Sequence, residues 1–133
     1  MHKSFLIAGS VCGALAVGLG AFGAHGLKKI VPPETVAVFQ TGVQYQMYHS
    51  LALLLVAVIA QSISDKMIQW AGWCFLYGIV LFSGSLYFLV IMKAADVTGF
   101  EKAGIVTPVG GALFITGWIF LLLSSLKRKN HNG

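Results

Sequence analysis

From Ser4 to Ala24 the chain runs 21 residues without a charged side chain. A helix needs about 20 apolar residues to cross a bilayer core, so this one run restricts the fold more than any other feature. Three further runs have the same character, at 43–61, 68–92 and 107–126. The composition agrees, with 57% hydrophobic and only 10% charged residues, where a soluble domain carries roughly 25% charged. A chain of 133 residues cannot hide that much apolar surface in a core of its own. A bilayer can hold it. The expectation is one all-α transmembrane domain over residues 1–133, with four spans joined as two hairpins into an integral membrane four-helix bundle.

The rival reading of the first run is a signal peptide, because Lys3 precedes it and Ala21-Phe22-Gly23 resembles a small-x-small cleavage site. The run is longer than an ordinary signal core and rich in small residues at helical spacing, which favours a retained helix. The second span is preceded by Pro33 to Gly42. Proline suits a first helical turn, and Glu34 complements the positive end of the helix dipole. Val36, Phe39 and Val43 share a face there, so this segment is expected to be interfacial and amphipathic or strongly tilted, with Gly42 as a bend. Trp70 and Trp73 form an aromatic belt at the start of the third span. Thr107 is placed to cap the fourth, with Pro108 in its first turn.

Nine basic residues oppose four acidic ones. The basic residues flank apolar runs and form no aromatic-interleaved face, so they point to membrane lipids as partners and not to nucleic acid. Lys3, Lys66, Lys127, Arg128 and Lys129 fall on the side of the termini, against Lys28, Lys29, Lys93 and Lys102 on the other. The positive-inside rule then places both termini in the cytoplasm of a bacterial inner or plasma membrane. The Lys127-Arg128-Lys129 cluster is expected to meet anionic headgroups.

In lipid, helices associate through close packing. Ala8, Cys12, Ala16, Gly20 and Ala24 recur at every fourth position of the first span, and Gly110 and Gly111 lie in the fourth. These are expected to be helix-packing residues, with homo-oligomerisation through the same stripe as the alternative. Cys12 and Cys74 belong to no CxxC or Cys/His cluster and read as small buried apolar groups.

Polar groups inside a membrane are costly, so their placement is informative. All four acidic residues, Glu34, Asp65, Asp96 and Glu101, lie in loops or at helix ends. No carboxylate pair sits in a span, which removes the usual equipment for cation coupling or hydrolysis. His25, Gln44, Tyr45, Gln46, Tyr48, His49, Ser83, Ser85, Tyr87 and Thr107 all thread onto the half of the bundle away from the termini. They are the candidate ligand-binding residues of a polar layer, and His49 is the sharpest of them, with Tyr45 and Gln46 on its helical face. The plainer reading is that the layer only glues helices together. His25 and His49 are expected at similar depth, as two histidines that hold haem or a metal would be. With no third ligand and no attachment motif, no cofactor and no metal is assigned.

Four stretches in order, Gly20-Ala21-Phe22-Gly23-Ala24-His25-Gly26-Leu27, Tyr45-Gln46-Met47-Tyr48-His49, Phe82-Ser83-Gly84-Ser85-Leu86-Tyr87 and Thr107-Pro108-Val109-Gly110-Gly111, resemble the YgdD/YwdK-like family of small bacterial inner-membrane proteins, to which an animal transmembrane protein is also similar. The resemblance covers essentially the whole chain and implies a four-span plasma-membrane protein. It supplies no activity. Two readings therefore stay open: a polar layer that binds a small molecule, a lipid headgroup or a proton, and a structural or assembly protein, as a homo-oligomer or with a membrane-protein partner, whose polar residues specify packing. An enzyme is not expected, since no nucleophile–base–orienter set has suitable spacing.

Overall fold

The computed structural model describes the backbone of residues 2–132 and the side chains of residues 3–127. Arg128 and Lys129 of the tail cluster therefore lie outside the described side chains. Four antiparallel rods make up the chain. The first is α1 (His2–His25) and the second α2 (Pro33–Ser62). The third is α3 (Lys66–Gly78), which continues through a π-helical segment (Ile79–Ser83) into α4 (Gly84–Ala94). The fourth, α5 (Val106–Asn132), follows a 3-10 turn at Glu101–Ile105. All four rods are long and apolar enough to cross a membrane. The fold is an all-α integral membrane four-helix bundle.

The ends of the rods follow from local chemistry. Pro33 sits in the first turn of α2, where its missing N–H costs nothing. Asp65 caps α3, accepting a hydrogen bond from the Met67 amide at 3.0 Å. Thr107 does not cap the fourth rod. The 3-10 turn runs straight into the helix, which already includes Val106, so Thr107 lies inside the first turn and its hydroxyl is free to reach another rod. The residues between Pro33 and Gly42 belong to the same unbroken helix as the span after them, and Thr35, Phe39 and Val43 are buried in the bundle.

Packing pairs α1 with α2 and α3 with α5, while α2 also lies along the third rod. Two apolar clusters result. One, towards the termini, gathers Phe5, Leu53, Val56, Phe75, Ile79 and Phe114. The other, towards the opposite end, gathers Ala16, Leu27, Phe39, Val43 and Val90. Close approach is bought by glycine at two crossings. A Cβ on Gly9 would meet the Ser50 carbonyl oxygen at 2.9 Å, and one on Gly110 would collide with the backbone of Phe82 in the π segment. Outside these contacts the rods present Leu15, Leu55, Val80, Ile115 and Leu122 outwards, as a bilayer solvent requires.

Candidate functional site

Between the two apolar clusters lies a belt of hydrogen-bonded side chains, centred on α2. Gln46 is 4% exposed. Its Nε2 donates to the Cys12 carbonyl of α1 at 2.7 Å, and its Oε1 accepts from the Tyr87 hydroxyl of α4 at 2.6 Å. One amide thus ties three rods. One turn along, the Ser50 hydroxyl donates back to the Gln46 carbonyl at 2.6 Å. The Ser83 hydroxyl, wholly buried in the π segment, donates to the Gly42 carbonyl at 2.6 Å.

His49 completes the belt towards α5. Its Nδ1 is 2.8 Å from the Tyr45 carbonyl, and its Nε2 is 3.1 Å from the Trp118 indole nitrogen. A carbonyl only accepts and an indole N–H only donates. Nδ1 must therefore carry the proton, and Nε2 must offer its lone pair, so both ring nitrogens are committed. The ring lies flat on Phe114, with centroids 3.6 Å apart and planes 8° from parallel. Tyr45 extends the stack, 4.7 Å from Phe82.

A second set of bonds joins the third rod to α5. Ser85 donates to the Phe82 carbonyl at 2.9 Å and pairs with the Thr107 hydroxyl at 2.5 Å. Since the Ser85 proton goes to the carbonyl, Thr107 is the donor in that pair. At the other end of α5 the buried Ser124 hydroxyl donates to Asp65 Oδ2 at 2.7 Å. Among the described residues, no buried side-chain nitrogen or oxygen lacks a partner.

The structure brings Tyr45, Gln46, His49, Ser83, Ser85, Tyr87 and Thr107 together in this belt. It leaves the other three candidates outside. Gln44 and Tyr48 are exposed on the outward face of α2. His25 is exposed at the end of α1, with Nδ1 on the Ala21 carbonyl at 3.0 Å. The expected equal depth of His25 and His49 does not hold. Gly23 faces Phe39 and Gln40, which sets His25 beside the early turns of α2, about 15 Å along the axis from His49 at 1.5 Å per residue. The reason is that α2 begins at Pro33, so His49 lies about 24 Å into it. The two rings cannot share a metal. Gln46 and His49 thus lie near the middle of α2, while Ser83, Ser85, Tyr87 and Thr107 lie in the half of their rods away from the termini.

Of the small residues of α1, Ala16 is buried, Gly20 faces Val43, and the Cys12 carbonyl takes the Gln46 bond, all within the chain. Ala8 packs against the cluster near the termini, whereas Ala24 is exposed. Gly110 is buried and Gly111 partly buried against the third rod.

Residues 19–111, which carry most of the belt, match the family described as "Protein of unknown function (DUF423)". The chain belongs to the DUF423 family. It is 47% identical over 126 residues to the UPF0382 membrane protein YwdK of Bacillus subtilis (strain 168), covering 94% of this chain and 98% of that one. Over 125 residues it is 43% identical to a UPF0382 membrane protein of Staphylococcus haemolyticus (strain JCSC1435) and 45% identical to one of Staphylococcus aureus (strain bovine RF122 / ET3-1), covering 94% of this chain and 97% of each relative. No solved structure matches it. The resemblance to YwdK-like proteins read from the four sequence stretches is thereby established, and with it an uncharacterised family of membrane proteins.

Sequence reasoning missed four participants in this DUF423 bundle: Trp118, Phe114, and the pair Asp65 and Ser124. Trp118 had a legible signal, since it stands in mid-span, away from the interfacial belts where tryptophan is usual. Its indole N–H needs a partner there. Asp65 also had one, as an acidic residue just ahead of an apolar helix is a common cap.

Proposed function

We propose that this protein is a non-catalytic, multi-pass plasma-membrane assembly protein, with both termini in the cytoplasm, whose polar belt fixes the packing of a rigid four-rod module. The observation that carries this reading is the closure of the belt. Gln46 spends its amide on α1 and α4, and His49 spends both ring nitrogens on its own chain. A site for a small molecule or a migrating proton needs polar groups with unused donors or acceptors facing a path. Here, among the described residues, every buried side-chain nitrogen and oxygen already has a hydrogen-bond partner within the chain. Interaction then falls to the outward faces of the rods.

The test is a comparison of ligand response and association. Purified protein in lipid nanodiscs is challenged with headgroup analogues, metabolites and changes of pH while thermal unfolding is followed, and proton flux is measured in proteoliposomes. The reading expects no saturable stabilisation and no flux above protein-free vesicles, together with self-association or a constant membrane partner seen by crosslinking in native membranes. A saturable ligand shift lost in a folded His49→Gln variant would replace it with the binding reading.

A further inference from the structure

Gln44 is a carboxamide at membrane depth that no hydrogen bond within the chain engages, among the described residues. It is exposed on α2. It lies one residue beyond Val43, which faces Gly20 of α1, and eleven residues, about 16 Å, into α2 from Pro33. Among the described residues no hydrogen bond reaches its side chain, in contrast to Gln40, which donates to the Gly20 carbonyl, and Gln46. Lipid chains offer a carboxamide nothing, and polar side chains at such depth are commonly used to join helices.

The surroundings of Gln44 indicate what joins it. Thr41, Gln44, Tyr48, Leu51, Leu55 and Val58 follow one another at spacings of three and four. That is the alternation of a helix–helix seam of the coiled-coil type. In this chain the seam faces outwards: Tyr48 is 55% exposed, Leu51 57%, Leu55 47% and Val58 61%. Its apolar half is suited to knobs-into-holes packing, and Gln44 is the single carboxamide on it. A carboxamide both donates and accepts. It is therefore complementary to an identical copy of itself across a two-fold axis, where each residue of the seam meets its own counterpart. In soluble coiled coils one polar amide in an apolar seam sets register and favours a pair of helices.

We propose that the protein forms a parallel dimer through this seam of α2, with the Gln44 carboxamides of the two copies hydrogen-bonded to each other. The proposal rests on the assembly reading and names a second copy of the chain as the partner. The seam lies beside the belt, so the bonds that hold α2 in the bundle also hold the seam in place.

Oxidative crosslinking in membrane vesicles tests it, in a chain with Cys12 and Cys74 replaced by Ala and one new cysteine at a time. Leu51→Cys and Leu55→Cys should give disulfide-linked dimers, and Val80→Cys, on the third rod, should not. In liposomes, fluorescence energy transfer between labelled copies, followed as lipid is added, should show Gln44→Leu weakening the dimer roughly five- to tenfold, on the scale of interhelical polar contacts in membranes. Unchanged thermal unfolding of Gln44→Leu under dissociating conditions separates this loss from misfolding. Uniform crosslinking at all three positions, or an unaltered equilibrium in Gln44→Leu, overturns the dimer seam. A chain monomeric at every dilution that still crosslinks to a constant different protein overturns the dimer and leaves the assembly reading standing. A monomer with no partner overturns both.

Discussion

The indole N–H of Trp118 on α5 donates to Nε2 of His49 on α2 across 3.1 Å, while the other imidazole nitrogen is held by the Tyr45 carbonyl. This pair fixes a tautomer as well as a contact. It also couples two rods that are far apart in sequence, with Phe114 stacked on the same ring. A histidine in a span invites a proton-carrying role. These partners argue the other way, because adding a proton to Nε2 would set two N–H groups against each other.

His49 should therefore give the nitrogen NMR signature of an Nδ1–H imidazole in lipid, with Nε2 pyridine-like. Trp118→Phe keeps the ring but removes the donor, and should cost about 1 kcal/mol in thermal or denaturant unfolding, the range of polar contacts between membrane helices. His49→Ala should cost more, about 2–4 kcal/mol, since it also leaves a void against Phe114. An Nε2–H spectrum would show the assigned pairing to be wrong.

Gln46 and Tyr87 should behave as a coupled pair. Gln46→Leu strands the Tyr87 hydroxyl and withdraws a donor from the Cys12 carbonyl, so a loss of about 2–3 kcal/mol is expected. Tyr87→Phe removes only the hydroxyl and should cost about 1 kcal/mol. In the double variant the stranded hydroxyl is gone, and the combined loss should fall short of the sum. Unfolding of the four species in one detergent measures the coupling directly.

Much of this bundle is legible in the sequence because the bilayer simplifies the problem. Charge-free runs mark the rods, Pro33 marks a start, and Gln46, Ser83 and Tyr87 are costly enough in a span to have to meet. The π segment is not legible. Ile79-Val80-Leu81-Phe82-Ser83 reads as ordinary apolar helix, and what accompanies the wider turn is tertiary: Ser83 bonded to Gly42, and the Phe82 backbone lying against Gly110. The depth of His49 is not legible while residues 33–42 read as an interfacial segment ahead of the span. Once they are one helix, every later residue of α2 moves about 15 Å further in.

Asp65 supports two rods from a position at the edge of the bundle. It caps α3 through Oδ1 and accepts from Ser124 of α5 through Oδ2. Asp65→Ala should lower stability by about 1–2 kcal/mol, and Asp65→Asn by less, because asparagine still caps well. Hydrogen exchange should locate the loss in the first turn of α3 and around Ser124. Uniform protection across both would count against the link.

The glycines provide a sharper contrast, because two of them differ only in what stands opposite. At Gly110 an added methyl would run into the Phe82 backbone, which belongs to the π segment and cannot swing aside like a side chain. At Gly18, on the exposed face of α1, nothing stands within 4 Å. Gly110→Ala should separate α5 from the third rod and cost at least about 2 kcal/mol, as overpacking of a tight contact does. Gly18→Ala should be neutral or stabilising by about 0.5–1 kcal/mol through helix propensity. Gly20→Leu falls between them, since its Cβ would sit 3.3 Å from a Val43 methyl that has some freedom to turn. The order of unfolding midpoints should be Gly18→Ala highest, then Gly20→Leu, then Gly110→Ala. If Gly110→Ala unfolds like the wild type, α5 and the π segment do not approach as closely as described, and the Ser85–Thr107 bond beside them should be lost as well.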